Sequence, residues 1–395
     1  MGERTKKRLV VKVGTNTLTG GEDRLARPAM LGIVRQIARL VHDGHQVALV
    51  SSGAIVAGRE ALSVPRNGKA ATARGEHPAS YGEPRRSAPA AARRRDIPFK
   101  QVLAAVGQTK LMQMWDELFS KEELIVAQTL LTRGDLADRQ GYLNARNTLL
   151  ALLERQVVPI INENDVVATE EIKIGDNDNL SALVANLIDA DLLILLTDQE
   201  GLFTADPRRH STATLIREVP VISNEILALA AGAGTARGTG GMTTKLQAAR
   251  LATESGVTVL VAGGTTDNVL VRSVKGEPVG TRFPSNRTRM ESRKRWILAG
   301  LAGKAAAHID AGAVTALGRG RSLLPAGLIV VKGPFDRGDS VNIVGPEGKA
   351  IGCGVANYSA ADLERIKGCR SAEITTVLGY NFGDEVIHRN NLVML

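Results

Sequence analysis

The chain has 395 residues, enough for two domains that each bury a hydrophobic core. Only 3% of the residues are aromatic, which leaves few side chains for stacking on nucleic-acid bases, and the two cysteines exclude a disulfide framework. Of the net charge of +9, the nine basic and three acidic residues between Arg66 and Lys100 supply +6. No apolar run approaches the length of a membrane span, so we expect a cytoplasmic protein.

Short apolar runs rich in β-branched residues recur along the chain, and helical patterns separate them. Residues 28–43, for example, carry apolar side chains at helical spacing between Pro28 and Gly44. Such alternation predicts an α/β, doubly wound fold with a mainly parallel sheet between layers of helices. The predicted strands are residues 9–13, 46–50, 157–161, 192–196 and 257–261.

The exit of every predicted strand carries Gly, Ser, Thr, Asn or Asp within two residues. Ligands of open parallel sheets bind beyond the carboxyl ends of the strands. A single polar exit is an ordinary turn, but five of them, several with charged side chains, favour a binding site at this edge. Lys12 lies at the end of the first run, just before the turn at residues 14–16.

Residues 235–245 join three glycines to Lys245 at the start of a helical pattern. Glycines allow the backbone to approach a ligand, and a helix N-terminus favours an anion. The spacing does not match a Walker A loop, and a plain connection is the simpler alternative. Together with Lys12, however, Lys245 could hold a polyanion during phosphoryl transfer.

Residues 172–183 place Asp176, Asn177, Asp178 and Asn179 before another helix. One of these four residues would suffice as a helix cap. Asp176 or Asp178 could position the two lysines, and Asn177 could bind a substrate amine or carboxylate. Residues 162–165 form a second polar set, and the sequence shows neither an EF-hand nor a Cys/His zinc pattern.

Two segments differ in composition from the rest of the chain. Residues 66–98 are rich in Ala, Arg, Gly and Pro, which predicts a solvated low-complexity basic insert, with an anion-attracting patch as the alternative. Residues 272–292 predict a linker. After it, short strand patterns predict a small, mostly β domain at 293–395, with one helix near residues 360–366.

Taken together, the motifs resemble the glutamate 5-kinases of the amino acid kinase family, with a C-terminal part similar to a PUA domain. The resemblance implies an amino acid kinase domain at residues 1–271. The matching segments are VVKVGTNTLTGG (10–21), VSSGAIVAGRE (50–60), LLTRGDLADRQGYLNARNTL (130–149), VPIINENDVVATEEIKIGDNDNLSALVA (158–185), LLTDQEGLFTADPR (195–208), GTGGMTTK (238–245), SLLPAGL (322–328), FDRGDSV (335–341) and LGYNFGDEVIHRNNLV (378–393).

The resemblance implies ATP-dependent phosphorylation of the γ-carboxylate of L-glutamate, the first step of proline synthesis. It implies that Lys12 and Lys245 neutralise the transferring phosphoryl group while Asp178 orients both. It further implies Mg²⁺ held largely by the nucleotide, inhibition by proline, and a homo-oligomer, expected to be a tetramer. The implied glutamate site is Ser52, Gly53, Asp165 and Asn177. The implied ATP site is Lys12, Thr197, Asp198, Thr239, Gly240, Gly241, Met242, Thr243, Thr244 and Lys245.

Residues 66–98 depart from the family, which has a much shorter connection there. We expect this insert to be dispensable for the chemistry, although it could affect glutamate affinity, proline sensitivity or assembly. A competing hypothesis makes the chain an RNA-binding or regulatory protein that uses the PUA-like domain and the basic insert. Few aromatic residues and little charge outside the insert weigh against RNA as the main ligand. A kinase with another acceptor, such as carbamate or a nucleotide, is a third possibility.

Overall fold

A computed structural model gives the fold and describes residues 6–64, 96–168, 177–231, 241–285 and 301–394. The chain divides into two compact units. The first comprises Met1–Arg133, Leu149–Thr253 and Val257–Pro284, and the second comprises Gly134–Thr148, Glu254–Gly256 and Ser285–Leu395. Most of the predicted insert lies outside the described residues.

The first unit is built from strands and helices that alternate along the chain. Its strands are β1 (Arg8–Val13), β2 (Gln46–Ser51), β3 (Val126–Leu131), β4 (Val158–Glu163), β5 (Leu192–Thr197), β6 (Thr258–Gly263) and β7 (Thr281–Phe283). The described helices from the amino terminus to residue 275 are α1 (Thr15–Thr19), α2 (Arg27–His42), α3 (Ala54–Ala61), α4 (Asp96–Ser120), α5 (Arg133–Ala137), α6 (Arg139–Glu154), α7 (Asn177–Leu187), α8 (Asn224–Ala231), α9 (Met242–Glu254) and α10 (Val269–Lys275).

The seven strands form one sheet in the order β3-β4-β2-β1-β5-β6-β7. All neighbours are parallel except β6 and β7. The central strand β1 lies between β2 and β5, so Lys12 is in register with Val50 on one side and Leu195 on the other. This topology confirms the predicted mainly parallel α/β sheet.

All five predicted strands and the predicted helix at residues 28–43 are present, each within two residues of the expected bounds. Strands β3 and β7 were not predicted. Strand β3 lies at the edge of the sheet, is only half-buried and contains Gln128 and Thr129, so it lacks a continuous apolar run. Strand β7 has three residues, too few to show a period.

Helices α3 and α4 pack closely because glycines face each other's backbone. A Cβ on Gly58 would lie 1.9 Å from the carbonyl oxygen of Leu103, and one on Gly107 would lie 1.7 Å from that of Ala54. Neither position can hold a side chain without moving a helix. This contact fixes α3, which begins just after β2, and therefore fixes the turn that carries Ser52.

The second unit contains a five-stranded sheet in the order β12-β11-β10-β8-β9. Among the described residues 301–394, two further short helices accompany the predicted helix at residues 360–366, so the expectation of one helix was wrong. Short helices of five to eight residues give little periodic signal. The elements are β8 (Leu301–Ile309), α11 (Ala311–Gly318), β9 (Leu328–Lys332), β10 (Ser340–Val344), β11 (Ala350–Val355), α12 (Ala360–Ile366), α13 (Ile374–Leu378) and β12 (Leu392–Met394).

Residues 272–292 were expected to form a linker. The segment includes the end of α10 and strand β7, while residues 286–292 lie outside the described ranges. The division at 1–271, 272–292 and 293–395 stays a prediction. Across the described ranges, no helix is both long and apolar enough to cross a membrane.

Within the second unit, residues 134–148 contact the C-terminal part of the chain through a hydrogen bond and apolar packing. Arg146 is 3% exposed, and its Nε donates to Asn391 Oδ1 at 3.0 Å. Leu143 joins Cys353 and Val355 in a small buried cluster. The second unit therefore includes part of α6, a helix that precedes the last four strands of the first unit in the sequence.

Candidate active site

The carboxyl ends of the central strands bring several predicted site residues to one edge of the sheet. Lys12 is the penultimate residue of β1, and Ser52 directly follows β2. Asn162 lies near the end of β4, and Thr197 ends β5. Because β2, β1 and β5 are parallel neighbours, these positions lie side by side. The structure thus supports the inference drawn from the polar strand exits.

Asp178 joins the two lysines that the sequence singled out. Its Oδ1 lies 2.5 Å from Lys12 Nζ, and its Oδ2 lies 3.1 Å from Lys245 Nζ. Thr244 Oγ1 lies 2.9 Å from the same Oδ2. We call Lys12, Asp178 and Lys245 the charged cluster. Of the alternatives Asp176 and Asp178, the second contacts both lysines, and Asp176 lies outside the described residues.

The charged cluster is deeply buried. Asp178 is 0% exposed, Lys12 2% and Lys245 5%. Burying ionised groups costs several kcal/mol each unless they are paired, and removing one partner of a buried pair costs about 3–5 kcal/mol. The carboxylate therefore holds two ammonium groups in place that would otherwise favour water. Together the three side chains carry one net positive charge, which suits an anionic ligand.

Local structure explains how each member reaches the cluster. Lys12 belongs to a strand buried along nearly its whole length, so its side chain can leave only at the strand end. Asp178 is in the first turn of α7, and Lys245 is in the first turn of α9. The predicted helical start at the Gly-rich loop is confirmed at Met242.

Next to the charged cluster, Asn177 connects three polar groups. Its Nδ2 lies 3.0 Å from Ser52 Oγ, 3.0 Å from Asn162 Oδ1 and 3.2 Å from the carbonyl oxygen of Ser51. Asn162 Nδ2 in turn donates to Gln108 Oε1 at 2.8 Å. We call Ser52, Asn177, Asn162 and Gln108 the amide network. It brings together two of the residues expected to hold the acceptor, Ser52 and Asn177.

The amide orientations in this network follow from one backbone group. The N–H of Glu163 donates to Asn162 Oδ1 at 2.9 Å, and a backbone N–H cannot accept. Asn162 must therefore use its Nδ2 toward Gln108, whose oxygen faces Asn162 and whose Nε2 is left as a donor. Gln108 is 9% exposed, and its buried Nε2 has no hydrogen-bond partner within the described ranges of the chain.

Sequence reasoning missed Gln108. It lies on α4, outside the predicted strand exits, and its only signal was a polar residue directly after the apolar run at residues 102–107. Gly53, by contrast, was expected and has a structural reason. Its φ is +106°, and a Cβ would lie 3.2 Å from side-chain carbons of Leu18 and Leu25. The turn after Ser52 therefore requires glycine.

On the other side of β1, Thr197 ends β5 and Asp198 follows it. Thr197 Oγ1 donates to Asp198 Oδ1 at 3.0 Å, and Asn16 Nδ2 approaches Asp198 Oδ2 at 3.4 Å. Nearby, Asp206 is held by Arg208, whose Nε and Nη2 each donate at 3.0 Å. These hydrogen bonds lower the pKa of Asp206 and raise that of Arg208.

A cavity of about 1590 Å³ opens along this edge of the first unit. It is far larger than one small amino acid needs and has room for a nucleotide beside an acceptor. Residues from both sides of β1 line it, including Lys12, Ser52, Thr197, Asp198 and Lys245.

The remaining expected residues are placed as follows. Asp165 lies half-buried in the turn after β4 and does not line the cavity in the described part of the chain. Met242 is buried at the start of α9, and Thr243 is exposed beside it. Gly241 precedes them, and a Cβ there would meet nothing within 4 Å. Thr239 and Gly240 lie outside the described residues.

Comparison with known proteins gives two family matches. The model of the amino acid kinase family matches residues 7–263, and the model of the PUA domain matches residues 306–378. Among solved structures, UMP kinase from Bacillus anthracis covers 71% of this chain and 97% of its own, with a TM-score of 0.47 and 15% identity.

Curated relatives match over nearly the whole chain. Glutamate 5-kinase from Herpetosiphon aurantiacus is 52% identical over 98% of both chains. The proteins of that name from Dehalococcoides mccartyi and Deinococcus radiodurans are each 49% identical, over 100% and 98% of this chain and 100% of their own. The chain therefore belongs to the amino acid kinase family, within it to the glutamate 5-kinases, and carries a C-terminal PUA domain.

Proposed function

We propose that this chain transfers the terminal phosphoryl group of ATP to the γ-carboxylate of L-glutamate, giving ADP and L-glutamyl 5-phosphate. The observation that carries the proposal is the contact of one buried carboxylate, Asp178, with both Lys12 and Lys245. Two fixed ammonium groups suit a phosphoryl group that carries negative charge while it moves between two oxygens. The choice of acceptor is supported by full-length similarity to proteins named glutamate 5-kinase.

The proposed step needs no general base. An oxygen of the γ-carboxylate attacks the γ-phosphorus of ATP and forms a new P–O bond. The bond from that phosphorus to the β,γ-bridging oxygen breaks, and ADP leaves with the electron pair. Because the carboxylate is already ionised at neutral pH, no proton has to be removed. Lys12 and Lys245 would neutralise the phosphoryl oxygens while Asp178 holds both ammonium groups in position.

The amide network would bind the acceptor. Ser52 Oγ and Asn177 Nδ2 are neutral groups beside the C-terminal end of β2. They can donate hydrogen bonds to a carboxylate without adding charge next to the lysines. We also assign Gly53 and Asp165 to glutamate, Gly53 through its backbone and Asp165 as a partner for the ammonium group. Asp165 is assigned by family resemblance alone.

We assign the nucleotide to the other side of β1. Thr197 and Asp198 line the cavity there, and α9 begins at the loop that ends in Lys245. Mg²⁺, held largely by the nucleotide, would supply further positive charge. Among the described residues, no group of three or more His, Cys, Asp or Glu side chains could hold a metal ion. This fits a metal bound chiefly by phosphate oxygens and water, as Mg²⁺ often is in kinases.

The family resemblance extends the proposal to regulation and assembly. We propose that the reaction is the first step of proline synthesis, that proline inhibits it, and that the chain forms a homo-oligomer, a tetramer in our expectation. Light scattering would give the oligomeric state, and titration with proline during turnover would give the inhibition. No comparison supports the RNA-binding alternative.

Side-by-side assays of possible acceptors test the proposal. ADP release is measured with L-glutamate, N-acetyl-L-glutamate, L-aspartate, carbamate and UMP, and hydroxylamine traps any acyl phosphate as a hydroxamate. We expect glutamate to give ADP and hydroxamate in equal amounts, and to exceed the other acceptors at least tenfold. No hydroxamate with glutamate, or faster turnover of another acceptor, would refute the assignment.

A further inference from the structure

We propose that Arg59 binds the α-carboxylate of the acceptor amino acid. This inference rests on the proposed function, because it names a binding residue within the same site. Arg59 lies on α3, is half-buried and lines the cavity that also contains Lys12 and Ser52.

The cations around the cavity differ in whether a carboxylate already neutralises them. Five lysine or arginine side chains line it in the described part of the chain, and four have a carboxylate within 4.0 Å. Asp178 contacts both lysines, and Asp206 lies 3.0 Å from Arg208 and 4.0 Å from Arg209. Arg59 is the fifth, and its guanidinium has no hydrogen-bond or ion-pair partner among the described residues. A half-buried guanidinium without an anion favours binding one.

The position of Arg59 on α3 determines the direction of its side chain. Ser52, Ile55, Val56, Arg59 and Ser63 line the same cavity. Along α3 this spacing marks one face of a helix, which starts beside the turn that carries Ser52. Ile55 and Arg59 are one turn apart, about 6 Å along the axis. Helical side chains lean toward the N-terminus, so Arg59 leans toward Ser52.

The charged groups of glutamate are complementary to the side chains assigned to its site. Glutamate offers two carboxylates and one ammonium group, separated by methylene groups. The lysines suit the γ-carboxylate as it receives the phosphoryl group, and Asp165 suits the ammonium group. Neither Ser52 nor Asn177 is charged, so the α-carboxylate lacks a cation until Arg59 is included. Ile55 and Val56 lie between Ser52 and Arg59 and suit the methylene groups. A guanidinium binds a carboxylate through two parallel hydrogen bonds.

A nucleotide phosphate is the other anion that Arg59 could bind. The nucleotide side of the cavity already contains Arg208 and Arg209, close to the end of β5. Arg59 instead belongs to the helix that follows β2, on the side of the amide network. Position therefore favours the acceptor, and the assay below separates the two anions.

The test pairs one residue with one group of the substrate. L-Glutamate is compared with its α-amide, L-isoglutamine, which keeps the γ-carboxylate and loses the α-charge. Wild type, Arg59→Gln and Arg59→Lys are assayed with both acceptors. Arg35→Gln, an exposed arginine on α2, serves as the control. Where turnover of the amide is too slow, its inhibition constant against glutamate replaces kcat/KM.

We expect Arg59→Gln to raise the KM for glutamate about 10- to 100-fold, the range for a lost charge-assisted hydrogen bond, with kcat nearly unchanged. In the same variant, kcat/KM for the amide, or its inhibition constant, should change less than about threefold. The preference of the wild type for glutamate over the amide then disappears. Arg59→Lys should lie in between, and Arg35→Gln should match the wild type.

Equal losses with both acceptors would overturn the inference and indicate a packing role. A rise in the KM for ATP, with glutamate unaffected, would assign Arg59 to the nucleotide instead. If wild type does not phosphorylate glutamate at all, the proposed function fails, and this result is separate from any result on Arg59. Should Arg59→Gln melt well below wild type, Arg59→Lys alone decides through its ratio between the two acceptors.

Discussion

The charged cluster and the amide network lie next to each other but are built from opposite kinds of interaction. The charged cluster places two ammonium groups on one fully buried carboxylate. The amide network contains only neutral groups, joined at 2.8 to 3.0 Å. Consecutive residues at the start of α7 separate the two, because Asn177 enters the network and Asp178 enters the cluster. One helix start thus joins the proposed acceptor site to the proposed phosphoryl-transfer site.

This difference predicts different kinetic signatures. Charges that act on the moving phosphoryl group are needed most in the transition state, so their loss should lower kcat. Neutral hydrogen bonds to the acceptor act in the ground state and the transition state alike, so their loss should mainly raise KM.

The largest effect is expected for Lys245→Met, which removes one ammonium group and keeps the volume. We expect kcat to fall by about 10²–10³, since one preorganised group of this kind typically contributes about 3–4 kcal/mol to lowering the barrier. Steady-state kinetics with glutamate and ATP measure it. The control is Lys275→Met, an exposed lysine at the end of α10. A kcat within threefold of wild type would remove Lys245 from the transfer step.

Asp178→Asn should have the next largest effect, because it leaves two buried lysines without their shared carboxylate. We expect kcat to fall about 100-fold and the free energy of unfolding to fall by about 3–5 kcal/mol. Kinetics and urea unfolding measure the two effects on the same sample. Loss of stability with unchanged kcat would show that Asp178 supports the fold but not the orientation of the lysines.

Asn177→Ala breaks the amide network at its centre and spares the charged cluster. We expect the KM for glutamate to rise about 10- to 30-fold, since up to three hydrogen bonds of about 0.5–1.5 kcal/mol are lost, while kcat stays within about fivefold. The KM for ATP, measured in the same experiment, should not change. If kcat instead falls as much as in Lys245→Met, the two regions do not have separate roles.

Gln108→Leu should have the smallest effect, because Gln108 reaches the acceptor only through Asn162 and Asn177. We expect the KM for glutamate to rise about three- to tenfold, the value of one hydrogen bond. Gln108→Glu keeps the oxygen that accepts from Asn162 and should recover part of that loss. In the double variant with Asn177→Ala, the Gln108→Leu change should add little. Full additivity would show that Gln108 acts independently of the network.

The sequence predicted much of the fold because the buried strands are continuous apolar runs. The runs at residues 9–13 and 192–196 lie at the centre of the sheet, covered on both faces, so burial explains all of their residues except Lys12. Strand β3, at the sheet edge, mixes polar and apolar residues and gave no such signal. The polar strand exits predicted that these side chains would meet at one edge of the sheet, because parallel strands end together, and the charged cluster lies at that edge.

The site was only partly predictable. The contact of Lys12, Asp178 and Lys245 joins residues far apart in sequence. The residue pattern had paired the two lysines and left Asp176 and Asp178 as alternatives for positioning them, and the family resemblance selected Asp178. Gln108 and Arg59 were missed for another reason. Each lies on a helix, where a polar residue is ordinary, and its importance follows from what it faces: the buried Asn162 for Gln108, and the cavity for Arg59.

The most direct test of the central claim measures binding of a transition-state analogue. ADP, Mg²⁺, aluminium fluoride and glutamate together mimic the transition state of phosphoryl transfer. Titration calorimetry gives the affinity of the protein for this combination and for ADP alone. If the charged cluster acts on the moving group, Lys245→Met should weaken binding of the analogue at least 100-fold and change ADP affinity less than about threefold. Equal weakening of both would contradict the account, because Lys245 would then only hold the nucleotide.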